Sequence, residues 1–188
     1  MAGTQTRTVL TGDDLLALPT GMGQRFELIE GELVTMTPAG YRHGVVALQI
    51  GFLLKNYNAQ HKLGTLCGAE TGFYTRGDDK TVRAPDIAFM AYTKLPAGPL
   101  PDGFLRIAPD LVVEVVSPGD RAGEIEQKTQ EWLDFGVPLV WVVYPETQHV
   151  HVYAGRHDQP RILTADNVIS GGGALPGFEA PVRAFFQD

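Results

Sequence analysis

The stretch Leu111–Val112–Val113–Glu114–Val115–Val116 constrains the fold of this 188-residue chain more than any other. A short, nearly unbroken apolar run before Pro118–Gly119 reads as a strand covered on both faces. Such a strand needs a sheet with helices packed on each side. Glu114 interrupts the run, and a carboxylate there is costly unless an ammonium or a metal ion lies beside it. The other reading is an edge strand, or a structural ion pair that only resembles a site.

The flanking pattern fits that demand. Thr11, with Asp13 and Asp14 behind it, caps a short helix through Leu18 that Pro19 stops. Arg25–Ile29 and Glu32–Met36 flank Glu30–Gly31 as a β-hairpin. Tyr41 to about Ala59 is a helix, with Val46, Ile50, Leu53, Leu54 and Tyr57 at helical spacing. Thr65–Thr75 and Thr81–Tyr92 read as strands, followed by a Pro/Gly-rich loop, Leu95–Gly103. After Glu114, Arg121–Phe135 is a helix ended by Gly136. Val137–Tyr144 is a second buried strand, and Gln148–Tyr153 and Arg161–Thr164 are antiparallel additions. The expected fold class is α/β: one domain over residues 1–188, a central mixed sheet flanked by helices, an N-terminal hairpin, and residues 1–10 as a loose lead-in.

Composition removes several alternatives. Hydrophobic residues make up 44% and charged residues 20%, which excludes wholesale disorder. A balance of 15 basic against 22 acidic residues opposes tight non-specific nucleic-acid binding, though not a local basic groove. A lone Cys67 excludes an intrachain disulfide and a cysteine zinc site. With no signal-like N-terminus and no apolar run long enough for a bilayer, a cytoplasmic protein is expected, with no membrane contact.

Two further charges sit where apolar side chains belong. Asp86 follows Pro85 and opens the apolar run Ile87–Met90; taken alone, it reads equally as a turn aspartate. Lys128 shares one helix face with Ile125, Trp132 and Phe135, so it points at the sheet; alone, it could be snorkelling at the margin. Together, Asp86, Glu114 and Lys128 can meet at one end of adjacent strands. Two hard oxygen ligands and an ammonium suit Mg²⁺ or Mn²⁺ chemistry. A zinc site from His149, His151 and His157 lacks further ligands at metal spacing, so a surface strand is the expectation there. No Ser or Cys nucleophile stands in a recognisable setting: Ser117 is in no nucleophile elbow and nothing pairs Cys67 with His61.

Pro85–Asp86 followed by Glu114–Val115–Val116 resembles the PD-(D/E)XK nuclease signature. Val116 stands where its lysine belongs, and Lys128 is placed to supply it from the following helix. More closely, the chain resembles the Uma2 family (DUF820). The matching stretches are Arg25–Leu33, His43, Ala84–Asp86, Ala108–Pro118, Lys128, Gly136–Val137, Trp141–Val143 and Leu175–Gly177. The resemblance implies a restriction-endonuclease-like core in which Asp86 and Glu114 bind the metal, the Val115 carbonyl is an extra ligand, and Lys128 orients water or stabilises phosphate charge. Trp132, where the family has tyrosine, and Tyr144, where it often has aspartate, are departures expected not to touch the triad.

Glu27 and His43 match the family pattern as auxiliary residues. The strand alternation alone places Glu27 toward solvent, and a histidine at a helix start is commonly structural. Glu70 is read in a strand as a possible neighbour of the site, and Ser117 and Asp120 as turn and cap residues. A DNA substrate calls for a basic rim, with Arg42, Arg76, Lys80, Arg83, Lys94, Arg106 and Arg121 as candidates. The expected activity is metal-dependent endonucleolytic cleavage of DNA, with a homodimer suited to cutting two strands. The alternative is a catalytically silent nuclease fold kept as a dimeric scaffold or regulatory module.

Overall fold

The computed structural model describes residues 9–18, 25–100, 102–156 and 158–187. Thr11 caps helix α1 (Gly12–Leu16), donating its N–H to Asp14 at 2.8 Å and accepting the Asp14 N–H in return. The helix is shorter than the pattern suggests, and Pro19 lies outside the described residues, as does the lead-in up to residue 8. Leu10 is not loose, because its N–H bonds to the Gly31 carbonyl. The hairpin β1 (Arg25–Ile29) and β2 (Glu32–Met36) pairs in register from Arg25–Met36 to Ile29–Glu32. Its turn holds both Glu30 (φ 53°) and Gly31 (φ 81°) in the left-handed region, the two-residue geometry that favours glycine.

Helix α2 (Tyr41–His61) precedes β3 (Gly64–Gly68) and β4 (Phe73–Tyr74). One continuous strand over Thr65–Thr75 was expected, but a turn at Ala69–Glu70, with Glu70 at φ 75°, moves the chain from one sheet to another. Likewise the run Thr81–Tyr92 divides into β5 (Val82–Arg83) and β6 (Ile87–Ala91). Pro85 has no N–H to give a ladder, and the chain changes sheet there. The pattern shows apolar alternation but not which sheet each half joins.

The strand carrying Glu114 is β7 (Leu111–Val115), followed by α3 (Ala122–Phe135) and β8 (Leu139–Tyr144). β7 and β8 are parallel, with α3 as the crossover helix such a pair requires. Antiparallel β9 (His149–Tyr153) and β10 (Arg161–Thr164) complete a six-stranded sheet ordered β10-β9-β8-β7-β6-β3. A four-stranded sheet ordered β2-β1-β5-β4 stands beside it. The short pair β11 (Val168–Ser170) and β12 (Glu179–Pro181), then a 3₁₀ turn at Val182–Phe185, finish the chain with elements the sequence pattern did not mark.

Side-chain alternation along β7 assigns the layers. Leu111, Val113 and Val115 pack with Val46, Ile50 and Leu54 of α2, and with Leu175, Phe178 and Phe185. Val112 points the other way, against Trp132 and Leu133 of α3, with Val140 and Val142 beside it. Glu114 shares that second face by the period of two. The strand is therefore covered on both sides, as its composition demands.

Candidate active site

The site lies where β6 and β7 part. Their register pairs Ile87 with Val113 and Phe89 with Leu111. One step further along that register, Asp86 stands opposite Glu114. Asp86 accepts the Val115 N–H at 2.7 Å through Oδ2, so its carboxylate caps a backbone donor where the ladder ends. Its other oxygen, Oδ1, faces His43 Nε2 at 3.1 Å. The structure thus brings His43, at the start of α2, against the aspartate, and Ser117 Oγ lies 3.0 Å from His43 Nδ1. Ser117, read from sequence only as a turn residue, also holds the imidazole. Its N–H bonds to Asp120 at 2.8 Å, the turn chemistry expected of that pair.

Glu114 is gripped from α3. Lys128 Nζ lies 3.1 Å from both of its oxygens, and the Trp132 indole N–H donates to Oε1 at 2.7 Å. Trp132 therefore does touch the triad, against expectation. It sits one helical turn beyond Lys128 on the same face, so the position that presents the lysine also presents the indole. Lys128 reaches the Ala84 carbonyl at 3.0 Å and Glu27 at 3.1 Å as well. Its three N–H donors thus have Ala84, Glu27 and Glu114 as partners.

Glu27 is only 4% exposed, which corrects the solvent-facing reading from its strand alternation. Alternation tells which side of a strand a residue takes, not whether another layer covers that side. Here α3 does, through Lys128. Glu27 also accepts from the Ala84 N–H at 3.1 Å and from Arg83 at 2.8 Å. Arg83 continues to Glu131 at 2.7 Å, and Glu131 accepts from Thr75 at 3.2 Å. Sequence reasoning missed Glu131. The available signal was its place next to Trp132 and three residues beyond Lys128, at the margin of the inward face of α3.

The charges set the protonation states. Burial pushes Glu114 up to about 7, and the carboxylates of Asp86 and Glu27 push the same way, against Lys128 and the indole N–H. Burial also works to raise Glu27, but Lys128 and Arg83 outweigh it and hold the group below its ordinary value. For Asp86, burial is outweighed by the bond from His43, that ring's charge and the Val115 N–H, so its carboxyl is lowered. His43 rises, chiefly through its bond to Asp86, against the cost of burial. Lys128 is held above its ordinary value because three carboxylates outweigh the cost of burying it.

These groups line a cleft of about 980 Å³ between the hairpin, the start of α2 and the β7–α3 connection. Of the cations proposed for the rim, only Arg83 is among the residues lining it. Arg83 reaches the cleft but is tied to Glu27 and Glu131; Lys94 is paired with Asp110 at 2.9 Å, and Arg106 stacks 3.9 Å over Tyr74. Arg76 contacts Glu30 and Glu131. Glu70 is a surface partner of Arg25 at 2.8 Å, in a turn and not a strand. His149 and His151 share a face of β9, with ring centres 5.0 Å apart, and His157 lies outside the described residues. Among the described residues, no three His, Cys, Asp or Glu side chains are grouped to hold a metal ion by themselves.

A Mg²⁺-type ion fits the donors that are present. It commonly binds through one or two carboxylates and leaves its other positions to water and phosphate, so a cage of three side chains is not required. Asp86 and Glu114, which stand opposite each other where β6 and β7 part and both line the cleft, would be that pair.

The chain matches the Uma2 family, described as "Putative restriction endonuclease", over residues 13–183. Among solved structures it is similar to a protein from Anabaena variabilis described as a "putative nuclease belonging to DUF820". That likeness has a TM-score of 0.79 at 20% identity and covers 94% of this chain and 97% of the other. No curated protein matches the chain.

Proposed function

The chain belongs to the Uma2 family, and from that premise we propose that it is a divalent-metal-dependent endonuclease hydrolysing DNA phosphodiester bonds. The observation that carries the reading is the junction of β6, β7 and α3. There two carboxylates, Asp86 and Glu114, face one cleft, with the buried Lys128 ammonium between Glu114 and Glu27. A nuclease-like function agrees with the family and with the fold of the Anabaena variabilis protein.

Asp86 and Glu114, with the Val115 carbonyl, are the groups that would hold Mg²⁺ or Mn²⁺. Such an ion supplies Lewis-acid polarisation of the phosphoryl oxygen and a lowered pKa for water. The protein's own parts fix the geometry. His43, held by Ser117, orients Asp86; Trp132 and Lys128 orient Glu114. Lys128 Nζ, 3.1 Å from both Glu114 oxygens, is the donor that would serve a water or the scissile phosphate were Glu114 to hold a cation. Cleavage of both strands calls for two such sites, so a homodimer belongs to the same reading. The cytoplasm does too, on the strength of the lone thiol, Cys67. No helix among the described residues is long and apolar enough to cross a membrane.

One observation favours a second reading, a silent nuclease-fold module: several cations proposed for the rim are occupied by protein partners. Incubation of supercoiled plasmid and of single-stranded DNA with Mg²⁺ or Mn²⁺ separates the two. The expected result is nicked or linear product, reduced about a hundredfold or more in Asp86→Ala and Glu114→Ala. Intact substrates with both metals would leave only the module.

A further inference from the structure

Helix α2 carries an apolar stripe on its outer side as well as an apolar inner face. Val46, Ile50 and Leu54 are buried against the sheet. On the opposite side Tyr41 is 90% exposed, Leu48 76% and Phe52 60%, with Val45 half-buried among them. The other long helix shows what an ordinary outer face looks like here: α3 turns Glu124, Glu126, Gln130 and Asp134 to solvent. An apolar stripe left on the solvent side of a helix marks an interaction surface. We infer that the outer face of α2 is a homodimer interface, in which two copies pack antiparallel about a two-fold axis at Leu48.

The order of residues argues for a second copy as the occupant. Tyr41 and Lys55 lie seven residues either side of Leu48, and Val45 and Phe52 lie three and four. A two-fold through Leu48 therefore sets Leu48 against its own mate, and the Lys55 ammonium over the partner copy's Tyr41 ring, a cation–π contact. It also sets Phe52 opposite Gly44. That glycine is an open notch, since a Cβ built there meets nothing within 4 Å. Large into small is the fit that lets two helices approach closely. Arg42 is about a third of a turn off this face, so it does not oppose Lys55 of the other copy.

The area suffices as well. The three exposed side chains leave on the order of 450 Å² uncovered per copy, and roughly 900 Å² for a pair. With Val45, Lys55 and the Gly44 backbone, full burial of these surfaces would reach the ~1,000 Å² at the low end of specific interfaces. The inner side of the same helix start carries His43, so each cleft would lie about one helix diameter, ~10 Å, from the interface. The inference concerns assembly and stands whether or not the chain cleaves DNA.

Sedimentation equilibrium of the full chain tests it, with Leu48→Glu and Gly44→Leu beside the wild type and far-UV circular dichroism to check each fold. The wild type is expected to be a dimer at micromolar concentration. Leu48→Glu, which buries two opposed carboxylates, should raise the dissociation constant about a hundredfold or more. Gly44→Leu should keep or strengthen the helix, because leucine favours it, yet weaken the dimer about tenfold by filling the notch. A wild type that stays monomeric at ~100 µM overturns the inference and gives the stripe to another protein or a lipid surface. A dimer that both variants leave intact overturns it equally.

Discussion

Arg83 holds two carboxylates inside the protein at once. It is 6% exposed and bridges Glu27 and Glu131. Arg83→Ala would take a cation from both, leaving Thr75 and Arg76 on Glu131 and Lys128 and the Ala84 N–H on Glu27, at a cost of about 3 kcal/mol measured by urea unfolding at neutral pH. A loss under 1 kcal/mol would contradict the bridge. Glu114 gives a pH signature. Its folded value of about 7 lies above the ordinary 4.5, so between those values the folded protein keeps a proton that the unfolded chain has released. Its contribution to stability is complete at the acid end and is lost as pH rises through about 7. Metal binding has the opposite dependence, because the ligand must shed that proton. Affinity for Mn²⁺ should climb up to about tenfold per pH unit below 7 and level off above it, with proton release seen by calorimetry in two buffers. A flat profile from pH 5.5 to 8 would exclude Glu114 as the titrating ligand. Asp86, Glu114 and Lys128 were legible in the sequence because each is a charge in an apolar frame. Glu27 was named only through the family pattern while its alternation pointed to solvent, and Glu131 was not seen at all, because their cover comes from residues distant in the chain.

Among the elements, α3 matters most, since it delivers both Lys128 and Trp132. Gly136 ends it in the left-handed region at φ 102°, giving its N–H to the Leu133 carbonyl. An added Cβ there meets only Ala108, at 3.8 Å, so the cost of Gly136→Ala is backbone strain and not a clash. The expected loss is about 1 kcal/mol in thermal unfolding, with Mn²⁺ affinity unchanged. A gain in stability would mean that α3 ends differently. Helices and buried strands were legible here because capping residues and unbroken apolar runs act locally: Gly136 ended α3 where expected, and Leu139–Tyr144 lay within the predicted run. The strands that divide, at Ala69–Glu70 and Ala84–Pro85, were not. Their breaks answer to which sheet the chain must join, and local alternation does not encode that.

On the scale of the whole molecule, two sheets and two long helices place a small set of charges at one sheet end. The order β10-β9-β8-β7-β6-β3 puts the parallel pair near the middle, so β7 ends in a cleft and not at an edge. That topology follows from α3 crossing between β7 and β8, which the sequence pattern already implied. The small sheet's position over the cleft was not legible, and it is what brings Glu27 and Arg83 to Lys128. The central claim is that Asp86 and Glu114 together form a divalent-metal site. Calorimetric titration of Mn²⁺ tests it most directly, with the wild type, Asp86→Ala, Glu114→Ala and Lys128→Ala, in the absence and presence of DNA. The account predicts binding by the wild type, loss in both carboxylate variants, and retention in Lys128→Ala, where a competing ammonium has been removed. Undiminished binding in either carboxylate variant, or no binding by the wild type at millimolar Mn²⁺ even with DNA, would contradict it.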